Sequence, residues 1–348
     1  MNILVIFTGG TIGSIVKNGI ADTDITACEP IKQISRQYSD ITFEYNAPFS
    51  ILSENLNCTI LSEICSYMLN IDYTKYDGII LTHGSDTLAY TSAMLGMLLS
   101  FVRIPVVITA ANYVLESPKS NGIYNFRASV EYIREFPKHK NTGVFTVWKN
   151  SGEDTKVYIS TRLNEADSFL DSFSSWGGTE FGIIKENCFI RNGNPINPTI
   201  TVPCEKTSFL LNTKINFSNN ILLLQSYPGL DYNSVDLSGK TAAAVKLYHS
   251  ATACTTGENT SLLKFAEKCN KQGIELYVYS AKKNDYIYKS AENITNHNIH
   301  YLYNINTASA YCKILLSSAL NKNFKELIIN TNLFYESIEN RGEDALTD

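Results

Sequence analysis

Ile3-Leu4-Val5-Ile6-Phe7-Thr8-Gly9-Gly10-Thr11-Ile12-Gly13 stands near the start of the chain and decides how the rest is read. Five consecutive apolar residues, three of them β-branched, predict a strand buried on both faces. Two glycines then allow a tight turn and a close backbone approach, and a hydroxyl follows at Thr11. The carboxyl end of such a strand is where open α/β sheets bind ligands. A hydroxyl held there can act as a nucleophile once a neighbour takes its proton. The plainer alternative is a phosphate or dinucleotide loop. That loop needs Gly-x-Gly-x-x-Gly or a following Gly-Lys-Ser/Thr, and Gly9-Gly10-x-x-Gly13 is neither.

Outward from this segment, Gly78–Thr82, Pro105–Thr109 and Gly143–Val147 also read as short buried strands. Helical patterns at Leu61–Ile71, Thr87–Phe101 and Asn121–Phe136 separate them, which predicts a mostly parallel sheet covered by helices. After Ile184 the character changes. Asn187 to Asn220 is rich in Asn, Thr and Pro and reads as an edge hairpin followed by a linker. A second alternation follows, with strands at Ile221–Gln225, Ala242–Tyr248 and Ile274–Tyr279. Its helices are expected at Thr260–Gln272, Thr307–Leu320 and Phe324–Tyr335. The aromatic-rich stretch Tyr277–Tyr288 reads as core. The expected fold class is α/β in two domains. A larger N-terminal domain spans 1–205, a linker 206–220 and a smaller α/β domain 221–348, with a polar tail after about 337.

With 348 residues, the chain is long enough for two sizeable cores, and 44% hydrophobic against 18% charged residues is a globular balance. A net charge of −5 without a basic stripe argues against a nucleic-acid partner. None of the 8 cysteines forms a Cys-x-x-Cys pair, and the 5 histidines are not spaced as ligands beside them. Reduced thiols are expected, with no metal and no cofactor. No apolar stretch reaches the ~18 residues of a membrane span and no leader pattern opens the chain, so a cytoplasmic location is expected.

The second chemistry-bearing segment is Ile80-Leu81-Thr82-His83-Gly84-Ser85-Asp86-Thr87. It too ends a strand and opens a helix, offering a hydroxyl at Ser85 and a carboxylate at Asp86. Amides at such a helix start favour a developing oxyanion. The alternative is that Ser85 and Asp86 only cap the helix. Taken together, Thr8–Ile12 and His83–Thr87 resemble the two signature segments of the bacterial L-asparaginase family, Thr-Gly-Gly-Thr-Ile and His-Gly-Thr-Asp-Thr. Ala89-Tyr90-Thr91 continues the pattern of its cytoplasmic type. Looser matches follow at Pro105–Thr109, Ser120-Asn121-Gly122 with Asn125, Asp171-Ser172-Phe173 and Tyr227-Pro228-Gly229.

That resemblance implies the asparaginase-like two-domain fold, a homodimer or homotetramer, and hydrolysis of a side-chain carboxamide in a small molecule. Thr11 would attack the amide carbon to give an acyl-enzyme. Ser85 and Asp86 would assist, Asp86 holding the substrate's α-amino group. The implied binding residues are Asn55, Leu56, Gly84, Ser85, Asp86 and Ala110.

Several positions depart from the family. Ser85 replaces a threonine. Arg162 falls where the family has a lysine, and a guanidinium stays protonated and cannot serve as a base. Lys156 is the alternative candidate. Asn55 takes the place of a binding serine, and Tyr38 is too far along to replace a loop tyrosine missing from Lys17–Asp24. Asn306–Ser309 lacks a partner-subunit acid. The expectation is an amidohydrolase acting on asparagine or an asparagine- or glutamine-like compound, with free asparagine handled poorly. The alternative is a catalytically impaired relative with a binding role. An archaeal tRNA-dependent amidotransferase component shares the fold but carries a domain before the first motif, whereas here the first strand starts at residue 3 and no basic surface is expected.

Overall fold

The computed structural model describes residues 1–17, 20–23, 28–281, 288–295 and 298–339. The chain divides into two compact units: Met1–Ile215 with Leu333–Tyr335, and Asn216–Asn332 with residues 336–339. Among the described residues no helix is long and apolar enough to cross a membrane.

The first unit is built on an eight-stranded sheet. Its strands are β1 (Asn2–Phe7), β2 (Thr42–Asn46), β3 (Gly78–Thr82), β4 (Pro105–Thr109), β5 (Gly143–Lys149), β6 (Thr155–Ile159), β7 (Gly182–Lys185) and β8 (Cys188–Arg191). They run in the order β8-β7-β6-β5-β4-β3-β1-β2. The five strands from β2 to β5 are parallel, and β6, β7 and β8 add antiparallel hairpins. The continuous apolar runs are the parallel strands: every residue of β3 and β4 is buried. Such strands read as unbroken hydrophobic runs because helices cover both faces. Positive φ at Glu186 and Asn187 makes the tight β7–β8 turn, with Asn in the left-handed region it tolerates. Helices α1 (Cys58–Leu69), α2 (Leu88–Leu98) and α3 (Gly122–Arg134) pack in this unit, and ten of the eleven α2 residues are buried.

The second unit holds a parallel four-stranded sheet of β9 (Ile221–Gln225), β10 (Ala242–Lys246), β11 (Glu275–Ala281) and β12 (His300–Tyr303). Its helices include α4 (Leu262–Lys271), α5 (Thr307–Ser318) and α6 (Lys322–Asn330). Tyr277 and Tyr279 of the aromatic stretch are buried, while residues 282–287 lie outside the described residues, as does the tail from 340. The final helix stops at Asn330, short of the expected Tyr335. The apolar pattern misleads because Leu333–Tyr335 belong to the first unit. There Phe334 meets Phe145 edge-on at 6.0 Å, and its carbonyl accepts from the Thr161 hydroxyl at 2.6 Å.

On α5, Lys313 is buried and pairs with the fully buried Glu336, and its ammonium also donates to the Thr331 carbonyl at 2.6 Å. Removing one partner of such a pair strands a buried charge. Lys313→Met is therefore expected to cost about 3–5 kcal/mol of stability, read as a lowered urea midpoint at unchanged slope. A shift below about 1 kcal/mol would show that the pair is not what holds this segment.

Candidate active site

The candidate nucleophile is delivered by a loop that has almost no freedom. Leaving β1, Thr8 donates its hydroxyl to the Thr82 carbonyl at 2.8 Å, which ties the loop to the neighbouring strand. Gly9 and Gly10 follow with φ of 100° and 68°. Gly10 N–H then donates to Ile51 O at 2.7 Å and Ile51 N–H to Thr8 O at 3.0 Å. The chain closes a short turn over Thr11–Gly13, and the Ser14 hydroxyl donates to the Gly10 carbonyl at 2.8 Å. Thr11 is left half-buried at the rim.

The second loop lies directly against the first. A Cβ on Gly10 would come within 2.3 Å of the Gly84 nitrogen, so only glycine permits this approach. His83 N–H donates to Thr109 O at 2.8 Å, fixing the loop to β4 as well. The His83 ring is buried, with Nδ1 2.8 Å from the Gly84 carbonyl and Nε2 3.0 Å from the Thr91 hydroxyl. A carbonyl only accepts, so Nδ1 carries the proton and Nε2 accepts from Thr91. Burial holds this imidazole below its ordinary value of 6.5, opposed by the Gly84 bond and the charge of Asp86. His83 is thus a neutral strut for the loop.

Ser85 is half-buried and Asp86 exposed at the start of α2. Neither caps the helix: Thr87 is the N-cap residue and makes no side-chain cap bond. Instead Asp86 Oδ2 accepts from the Ser53 hydroxyl at 3.0 Å, while the Thr87 hydroxyl donates to Ser53 O, also at 3.0 Å. A Cβ on Gly84 would strike the Ser53 hydroxyl at 2.3 Å, so Ser53 fills the space that glycine leaves. Among the described residues, neither the Thr11 nor the Ser85 hydroxyl is engaged in a side-chain hydrogen bond.

The two cationic candidates lie at opposite ends of β6. That strand runs antiparallel to β5, pairing Lys149 with Thr155 and Phe145 with Ile159. Arg162 follows its far end and is placed at the amino-terminal rim, away from Ser85. It is buried there, with Nε donating to Tyr335 O and Nη1 to Ile196 O, both at 2.8 Å. The expectation that Arg162 joins the site is corrected on that ground: its guanidinium is committed to main-chain carbonyls. Lys156 lies at the carboxyl rim. Thr146 faces α2, bonding Ser92 at 3.0 Å, and its cross-strand partner is Tyr158. Side chains alternate along a strand, so Trp148 and its partner Lys156 share that face. Two residues of strand advance roughly as far as four of helix, about 6–7 Å, which sets Lys156 level with Leu88 at the start of α2. Its ammonium bonds Glu153 at 2.5 Å.

The comparisons with known proteins bear on the family and the fold. Residues 2–195 match the family model described as asparaginase, N-terminal. The chain belongs to the asparaginase family. It is 22% identical over 346 residues to a glutamyl-tRNA(Gln) amidotransferase component from Methanosphaera stadtmanae, covering 95% of this chain and 76% of that protein. It is 27% identical over 210 residues to the L-asparaginase of Thermococcus kodakarensis, 56% of this chain and 60% of that protein. The solved structure of the Thermococcus kodakarensis thermostable L-asparaginase superposes with a TM-score of 0.76 at 19% identity, over 97% of this chain and 99% of that one. L-asparaginase I of Vibrio cholerae superposes with a TM-score of 0.75 at 18% identity, over 97% and 98%. At these identities the superpositions establish the asparaginase two-domain fold.

Of the other expected site residues, Gly84 and Ala110 are buried, and the Ala110 carbonyl accepts from Asn125 Nδ2 at 2.8 Å. Asn55 is exposed at the end of a short turn over Ser53–Asn55, with Leu56 half-buried behind it. The residue brought to Asp86 is Ser53, two positions before the Asn55 that the resemblance singles out. Tyr38 packs edge-on to Phe43 at 6.2 Å and its hydroxyl is raised to about 12, chiefly by burial and also by Glu131. Asn306 caps α5, accepting from Ser309 N–H. Residues 18, 19 and 24 of the Lys17–Asp24 stretch lie outside the described residues.

The neutral histidine makes the fold sensitive to acid. Unfolded, the imidazole binds a proton near pH 6.5, whereas buried in the loop it binds one only at lower pH. Its contribution to stability is therefore full above about 6.5 and lost as the pH falls below that value. His139, lowered chiefly by burial, acts with the same sign. Urea midpoints at pH 7.5 and 5.5 should show this slope, and His83→Gln should reduce it. An identical slope in the variant would mean His83 is not the titrating strut.

Proposed function

We propose that this chain is an amidohydrolase that converts a side-chain carboxamide to the acid and ammonia through an acyl-enzyme on Thr11. The observation that carries the reading is the bare backbone contact of Gly10 with Gly84, which brings the loop that carries Thr11 against the loop that carries Ser85 at one rim. Thr11 Oγ1 attacks the carboxamide carbon, its proton passes by way of Ser85 to Lys156 serving as the unprotonated amine, and Lys156 returns that proton to the departing nitrogen. The carbon–nitrogen bond then breaks, nitrogen leaves as ammonia, and water releases the acid. Main-chain amides at Gly84 and Ser85 stabilise the oxyanion. Asp86, oriented by Ser53, holds the substrate's amino group. Lys156 must leave Glu153 to serve, which a rotation of its flexible side chain allows.

Free asparagine is a poor fit in this reading, because Asn55 is turned outward and the polar contacts that discriminate small amides are few. The amidotransferase component among the relatives is named for a tRNA-linked reaction. A net charge of −5 supplies no RNA footprint here, so hydrolysis is the reading we favour. The reading includes a homodimer or homotetramer, since Asp86 is exposed in the single chain and a second copy over it would exclude water.

Ammonia release from a panel of side-chain amides tests the proposal. Thr11→Ala should lower kcat by about 10³-fold or more, and Lys156→Met by about 10²-fold or more with KM little changed. Full activity in Thr11→Ala would refute the nucleophile assignment. Efficient turnover of millimolar free L-asparagine, abolished by Thr11→Ala, would refute the substrate reading alone.

A further inference from the structure

The loops after β4 and β5 leave the sheet on the same rim as the Ser85 loop, and a cavity of about 600 Å³ opens between them. Tyr113, Tyr124, Phe169 and Leu170 line it while being 43%, 58%, 92% and 64% exposed. Large exposed apolar side chains gathered around one cavity mark a binding surface, whereas scattered ones do not. The floor is rigid. Asn112 and Asn121 each donate a main-chain N–H to the other's side-chain oxygen at 3.0 Å, and Asn121 Nδ2 donates to Lys149 O at 2.9 Å. The charge is uneven: Lys119 and Lys149 face a single lining carboxylate, Asp171. Lys149 is held 5.6 Å from the centre of the Tyr124 ring.

Neighbouring strands lie about 5 Å apart, so the strands that carry these two loops stand about 5–10 Å across the sheet from the strand that carries the Ser85 loop, and Lys149 points to the α3 side of the sheet. On the proposed function, the carboxamide sits at Thr11 and the free amino group at Asp86. The substrate can then extend only through its α-carboxyl group. We propose that the cavity receives the residue after an N-terminal asparagine or glutamine, so that the substrate is a short peptide with an aromatic or large apolar second side chain. One residue of extended chain spans about 3.3–3.6 Å, and an aromatic side chain covers the remaining distance. The terminal carboxylate then meets Lys149 and Lys119. The reaction is unchanged: one water is consumed, the side-chain carbon–nitrogen bond breaks, and ammonia and the aspartyl or glutamyl peptide form.

This inference rests on the proposed amide hydrolysis but can be judged apart from it. Ammonia release would be measured for L-Asn-L-Phe, L-Asn-Gly and free L-asparagine. The dipeptide with phenylalanine should have a kcat/KM about tenfold or more above both others, the discrimination one buried apolar side chain supplies. In the double variant Tyr124→Ala/Phe169→Ala the ratio of Asn-Phe to Asn-Gly should fall to about one. Equal values for all three substrates, or a preference that survives the double variant, overturns the proposal. If no amide is turned over, calorimetry with the product L-Asp-L-Phe decides alone. Binding weakened about tenfold in the double variant supports the cavity assignment, and no binding to the wild-type chain overturns it.

Discussion

The rest of the site depends on one steric constraint: the backbones of Gly10 and Gly84 touch with no side chain between them. The hydrogen bonds around the two loops are individually worth only about 0.5–1.5 kcal/mol, and each could form with the loops slightly apart. What sets their separation is the missing pair of Cβ atoms. Gly10 puts Thr11 beside the second loop, and Gly84 leaves a space that the Ser53 hydroxyl fills. Ser53 then reaches Asp86, and Thr87 reaches back to Ser53. Loops from the ends of β1 and β3 and the segment after Ile51 are locked together by one clearance.

That dependence explains what could be read in the sequence. The parallel strands were legible because burial on both faces leaves unbroken apolar runs such as Ile3–Phe7 and Gly78–Thr82. The two loops that carry Thr11, Ser85 and Asp86 were legible as strand-end turns because each is a contiguous segment whose glycines have a geometric purpose. Ser53 was not, since Ser53, Asn55 and Asn57 are polar neighbours and only folding shows that the first is buried against Gly84 while Asn57 caps α1.

The choice between Lys156 and Arg162 was beyond the sequence for a different reason. It turns on the register of the β5–β6 hairpin, and a slip of one residue would turn every side chain of β6 to the other face. The observed register sends Lys156 toward α2 at the carboxyl rim and Arg162 past the opposite rim. The composition of the two segments holds no trace of that. The last helix failed on similar grounds. Leu333–Tyr335 continue an apolar pattern, but the surface they cover belongs to the other unit.

On the proposed function, the exposure of Asp86 shapes how a substrate is held. Among the described residues no cation pairs with it, and its one side-chain donor is the neutral Ser53 hydroxyl. A carboxylate so placed attracts an amino group, but an exposed ion pair is worth at most about 1 kcal/mol. Recognition by charge alone would then give weak binding and little discrimination among amides. The site must gain affinity either by excluding water over Asp86, which strengthens the same pair, or by burying apolar surface nearby. The first requires something to cover the rim. The second is already present in the aromatic walls beside the β4 and β5 loops, where a preformed polar floor lets apolar contact add to binding without first ordering the chain. On the proposed function, the weakness of the charged contact and the position of the apolar one favour the same requirement: a substrate larger than the amide it presents to Thr11.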